Sequence, residues 1–103
     1  MLGPGKAELL ERIRDTGSIS AAGRAMAMSY KRAWSLVEEM NAAFRTPLVD
    51  STRGGPGGGG ARLTEAGAAV VQHYRAIETA TAQAAAVDVA AITALLRDMS
   101  DQK

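Results

Sequence analysis

A chain of 103 residues fits one domain, or one domain and an extra helix, and folding removes only about 65% or less of its unfolded surface from water. The composition is 47% hydrophobic but rich in alanine, with one Trp, two Tyr and one Phe, which favours a thin helical core over a β-sandwich. The absence of cysteine excludes disulfides and thiolate metal sites, the single His73 makes no zinc site by itself, and a net charge of +1 leaves position, not sum, to decide what the basic groups meet.

The chain begins "MLGPGK", where the charge is late and no long apolar stretch follows, so no signal peptide is read there. No run of about 18 apolar residues exists anywhere, which excludes a helical membrane span; the cytoplasm is the expected location. "KAELLERIRD", Lys6 to Asp15, reads as a first helix with Leu9, Leu10 and Ile13 as its apolar stripe, preceded by Pro4 and stopped by Gly17. "GSISAAGRAMAMS" follows as a short helix with Ser20 as the expected N-cap. Gly23 inside it points to close packing of two backbones or to a weak helix.

Ser29 caps the next helix, "YKRAWSLVEEMNAAF". At 100° per residue Ala33, Val37, Met40 and Phe44 share a line, with Leu36 and Tyr30 beside it. Lys31, Ser35 and Glu38 lie opposite, Arg32 and Trp34 at the edges, and Pro47 is the expected stop. "PLVDS" and "ARLT" read as two short strands joined by a segment with six glycines and one proline between Gly54 and Gly60. Arg53 and Arg62 stand on either side of it. Thr64 then caps a long helix in which Val70, Tyr74, Ile77, Thr81 and Ala84 recur at four and three, a coiled-coil spacing. The spacing slips beyond, and a break or bend is expected near Val87 and Asp88.

A short helix followed at once by a longer one is a helix-turn-helix, whose second helix enters the major groove with its first residues on the base edges. Those residues are Ser29, Tyr30, Lys31 and Arg32, with Ser35 one turn on. Lysine and arginine donate to guanine acceptors, and Ser or Tyr bonds phosphate or bases. The hairpin after the reading helix is then a wing, with Arg53 and Arg62 at its base over phosphates or an adjacent minor groove, each neutralised phosphate steepening the log–log salt slope by about 0.9. The expected fold is mainly α with a small β-hairpin: a winged helix-turn-helix over residues 1–63, then a long helix or helix pair over 64–103 for dimerisation.

"GSISAAGRAMAMSYKRAW", "EEMN" and "GGPGGGGARLTEAG" resemble the N-terminal domain of the ModE family of molybdate-responsive transcription regulators. More broadly, the order "GSISAA…S…A…V..M", "PLV", "LTEAG" is similar to the DNA-binding domain of LysR-type regulators, and the likeness spans Lys6 to about Ala80. The resemblance implies a homodimer reading an inverted-repeat operator in double-stranded DNA. It implies Ser29, Tyr30, Lys31 and Arg32 at the reading end, Ser18 and Ser20 near phosphate, and Arg53 and Arg62 at the wing. It also implies an interface drawn from Leu9, Leu10, Ile13, Val70, Tyr74 and Ile77. In that family the oxyanion is held by separate C-terminal β-barrel domains, so molybdate binding is not expected of this chain, and no cofactor is. Met1 and the polar ending "DMSDQK" lean towards a complete small protein.

Each signal has a plainer alternative. The glycine run reads also as a linker, Lys31 and Arg32 as a solvated face, Ser18 and Ser20 as caps, and Tyr30 and Trp34 as packing residues. His73 is expected at the surface or in an interface, and the Leu9, Val70 and Tyr74 stripes as core or as dimer seam. No Ser–His–Asp, Cys–His or metal-ligand set exists, and the adjacent Glu38 and Glu39 point apart on a helix, so an enzyme is not expected. The runner-up is a protein-interaction module that keeps the fold without binding DNA, which the near-zero net charge favours.

Overall fold

A computed structural model describes residues 2–55 and 58–96, with the side chains of 53–55 and 58–59 outside the description. Helix α1, Pro4–Thr16, opens on proline, whose fixed φ suits a first turn and whose missing N–H has no partner to lose there. Gly17 closes it in the left-handed conformation (φ 70°), its N–H donating to Ile13 O. Ala7, Leu9, Leu10 and Ile13 are its buried face.

Helix α2, Ile19–Ala25, starts one cap earlier than the sequence suggests. Ser18, not Ser20, is the N-cap: its backbone is extended and its Oγ accepts from Ala21 N at 3.1 Å. Starting there puts Ile19 in the core and leaves Ser20 half-buried inside the helix. The turn to the next helix hangs on Gly23, whose carbonyl accepts from Met26 N and Met28 N. A Cβ at Gly23 would lie 2.8 Å from the Ala33 Cβ, so the glycine is there for close packing of the two helices. Ala27 completes the turn at φ 58°.

Helix α3, Tyr30–Ala43, is capped by Ser29, whose Oγ accepts from Arg32 N at 3.1 Å. Ala33, Leu36, Val37 and Met40 are buried as their spacing predicts. Tyr30 departs from that stripe and is 62% exposed. The helix ends before Pro47: Phe44 has turned extended (ψ 155°). Asn41 explains the early stop. Its Oδ1 accepts from Leu48 N (2.8 Å) and Val49 N (3.1 Å), and its Nδ2 donates to Val49 O (3.1 Å), folding the chain back on the helix.

Strands β1, Val49–Gly55, and β2, Gly58–Leu63, pair antiparallel with Val49 opposite Leu63, Asp50 opposite Arg62 and Thr52 opposite Gly60. The register becomes irregular between Thr52 and Gly55. The hairpin is fixed at its base, where Ala61 N donates to Gly17 O at 2.9 Å, Thr64 N to Leu48 O at 3.0 Å and Thr64 Oγ1 to Pro47 O at 2.7 Å.

Helix α4, Glu65–Leu95, is one unbroken helix, so the break expected near Val87 and Asp88 is absent. Alanine, the strongest helix former, carries the backbone through that stretch. On this continuous helix Asp88, Ala91 and Leu95 fall on the face of Val70, Tyr74, Ile77, Thr81 and Ala84, with the Asp88 carboxylate interrupting its apolar line. The first turns of α4 pack on the core through Gly67, Val70 and Val71. Beyond Glu78 every described residue of the helix except Ala85 is exposed. The core itself unites α1, α2, α3, Leu48, Val49 and Val71.

Candidate nucleic-acid interface

The outward face of α3 is set by what its inner face buries. Ala33, Leu36, Val37 and Met40 fix the helix rotation, which turns Lys31, Arg32 and Ser35 into solvent beside Ser29 and Tyr30. Among the described residues neither Lys31, Arg32 nor Arg62 is held in an ion pair. Their charges are available to an anionic partner.

Next to this face an open cleft of about 640 Å³ runs between α2, α3 and the hairpin. Ser18, Ser20, Tyr30 and Trp34 line one side, and Ser51, Thr52 and Gly60 of the strands the other. The structure therefore gathers Ser18, Ser20 and Tyr30 with the wing base, three sequence segments that spacing alone keeps apart. Arg62 is exposed on β2, across from Asp50. Arg53 lies in β1, and its side chain is outside the described residues.

Of the residues lining this cleft, the sequence reading named only Ser18, Ser20 and Tyr30 as site residues, and three of the others stand out. Glu38 puts a carboxylate on its wall. Thr52 holds the strand pair by accepting from Gly60 N at 3.2 Å. Trp34 packs edge-on to Tyr30 with ring centres 6.0 Å apart, and its buried indole N–H meets no acceptor among the described residues. The alternation of outward residues along β1 is the one sequence signal that points to Thr52.

The residues named for a dimer interface divide sharply. Leu9, Leu10 and Ile13 are 0% exposed and belong to the protomer's own core, so they offer a partner no surface. Ile77, at 63% exposure, does. Val70 and Tyr74 are half-buried between these cases, and His73 is exposed on α4.

One electrostatic cluster stands apart from the cleft. Arg75 of α4 donates from Nε to Glu11 Oε2 of α1 at 2.9 Å, from Nη2 to Glu11 Oε1, and from Nη1 to Glu78 Oε1 at 2.6 Å. The Arg75 hydrogen bonds hold the Glu11 carboxyl below its ordinary pKa, against an opposing effect of burial, and the bonds Arg75 donates to Glu11 and Glu78 raise its own. Among the described residues no group of His, Cys, Asp or Glu is arranged to hold a metal, and no helix is long and apolar enough to cross a membrane.

The sequence pattern of the family described as bacterial regulatory helix-turn-helix protein, lysR family, matches residues 5–68. The chain is 45% identical over 82 residues to the molybdenum-pterin-binding protein MopB of Rhodobacter capsulatus, covering 80% of this chain and 30% of that protein. It is 41% identical over 76 residues to the transcriptional regulator ModE of Yersinia pestis, covering 74% and 29%. It is 42% identical over 71 residues to the DNA-binding transcriptional dual regulator ModE of Escherichia coli K12, covering 69% and 27%. The chain thus spans less than a third of the length of these curated relatives.

Proposed function

The chain belongs to the lysR family of bacterial regulatory helix-turn-helix proteins, and we propose that it binds double-stranded DNA sequence-specifically as a homodimeric transcription regulator. The observation that carries this reading is the outward face of α3, where Lys31, Arg32 and Ser35 are exposed while the opposite face is locked in the core. In this reading α3 lies in the major groove, Lys31 and Arg32 donate to guanine acceptors, and Ser29, Tyr30 and Ser35 bond phosphates or base edges. Ser18 and Ser20 approach the backbone from the far side of the cleft. Arg53 and Arg62 meet phosphate or minor groove from the wing. Residues 1–63 form the reading unit and 64–103 the pairing element, with the first turns of α4 shared between them.

The exposed half of α4 supports the dimer. Val87, Ile92 and Leu95 are 80%, 64% and 86% exposed, more apolar surface than a small protein leaves in water without a partner. The protein is a binding protein rather than an enzyme, and it works in the cytoplasm with the chromosome. In this reading the chain does not itself bind molybdate.

The experiment is selection of bound sequences from a randomised duplex pool, followed by salt titration of the selected site. The expected product is an inverted repeat with half-sites about 34–36 Å apart, bound less tightly as salt rises. A single asymmetric half-site counts against the dimer. Absence of any retention on duplex DNA leaves the second reading, a protein-interaction module, which the net charge of +1 favours.

A further inference from the structure

Among the described residues, the hydrogen bonds farthest along α4 that reach another element are the two from Arg75 to Glu11, residues 64 positions apart. The pair is partly exposed, with side-chain exposures of 38% and 23%, and ion pairs so placed add little to stability. What a planar guanidinium held on both oxygens of one carboxylate does supply is direction, because both bonds are lost if the two planes rotate apart. Glu78 steadies the guanidinium from the next turn of its own helix.

We propose that Glu11 and Arg75 are positioning residues that fix the angle at which α4 leaves the winged unit, and thereby the spacing of the two DNA half-sites. The inference rests on the dimeric DNA-binding reading above. Geometry gives the contact leverage. From Arg75 to Leu95 the helix runs about 30 Å, so a tilt of about 10° at the anchor moves its far end by about 5 Å. That displacement exceeds the 3.4 Å rise of one base pair. A dimer joined through these far ends carries the error to both reading helices. Among the described residues a further ion pair from α1, Lys6 with Glu39, joins α1 to α3.

The chain has no cysteine, so nitroxides can be placed at the exposed Thr46→Cys and Gln83→Cys in one protomer, diluted with unlabelled chain, and their distance distribution measured. Glu11→Gln and Arg75→Met, the second keeping the aliphatic stem, are expected to broaden it by about 2 Å, the movement of a label about 12 Å beyond Arg75 on a tilt of about 10°, while Glu39→Gln leaves it unchanged. In parallel, each protein is titrated on duplexes whose selected half-sites are moved apart or together by single base pairs. Wild type and Glu39→Gln are expected to lose about tenfold in affinity per misplaced base pair, and the two clamp variants about threefold or less. Distance widths and spacing profiles unchanged in both clamp variants overturn the proposal. A wild-type chain that occupies single half-sites as a monomer defeats the dimer reading and the spacing half of the proposal, while the distance widths still decide the clamp.

Discussion

Gly67 of α4 lies against the carbonyl of Leu48: a methyl group on Gly67 would overlap that oxygen and stand 3.0 Å from its carbon. The obstacle is backbone, and it is backbone already engaged, since Leu48 O accepts from Thr64 N and Leu48 N is held by Asn41. Gly67→Ala is therefore expected to lower stability by about 2 kcal/mol or more, as overpacking against an unyielding wall does. Urea denaturation checks it, and a loss under about 0.5 kcal/mol would show that α4 can shift away freely. The same substitution pushes α4 off the wing base, so DNA affinity should fall with stability.

Ala27 offers the opposite effect. It sits at φ 58° in the turn between α2 and α3, a region where a β-carbon is crowded. Ala27→Gly removes that strain at some cost in unfolded-chain entropy, and a net gain of about 0.5–1 kcal/mol is expected. The gain should appear in the thermal midpoint without a change in DNA specificity, because Ala27 is not among the residues that line the cleft.

How much of this was legible follows from sequence distance. The cap at Ser29 and the buried line Ala33, Val37, Met40 are local and periodic, and both stood in the sequence. So did the hairpin and Thr64 as the start of the long helix. Ser18 and Ser20 are both good caps, and only the burial of Ile19 between them decides for Ser18. The bond from Asn41 to Leu48 and Val49, the fit of Gly67 on Leu48 and the Arg75–Glu11 contact join segments that no period connects. Leu9, Leu10 and Ile13 illustrate the same limit in reverse. An apolar stripe announces burial, but not whether the covering surface belongs to the same chain.

Lys31 and Arg62 should separate in their effects on DNA. Lys31 stands on the first turn of the reading helix, Arg62 on the wing. Lys31→Ala is expected to relax preference at one or two base pairs, costing about 1–3 kcal/mol on the selected site and little on random duplex. Arg62→Ala should weaken selected and random DNA alike and reduce the salt slope by about 0.9. Identical salt slopes and specificity for both variants would leave α3 and the wing without the roles assigned to them.

The Glu11 carboxyl is held below its ordinary pKa of 4.5, first by its hydrogen bonds from Arg75. A group depressed in the folded state stabilises the fold above its unfolded pKa and loses that contribution as pH falls through the lower folded value. The thermal midpoints of wild type and Glu11→Gln should therefore differ at pH 7 and converge as pH falls below 4.5 and through the depressed folded value. A difference that stays constant down to pH 3 would mean that the charge on Glu11 contributes nothing.

The stripe on α4 makes the sharpest test of assembly, because exposure separates it from the core. Ile77 and Leu95 are 63% and 86% exposed in the protomer, so Ile77→Asp and Leu95→Asp should leave its unfolding almost untouched. In a twofold dimer each substitution acts twice. Burying one such side chain is worth about 1.5–3 kcal/mol, so removing two weakens the dimer by about 3 kcal/mol or more, a hundredfold or greater rise in its dissociation constant. Leu10→Ala is the contrasting case. That side chain is 0% exposed, and its loss should cost about 2–5 kcal/mol of protomer stability. Sedimentation equilibrium and denaturation of the three variants distinguish a seam on the open face of α4 from one through α1. Dimers undisturbed by both aspartates would move the interface off this stripe altogether.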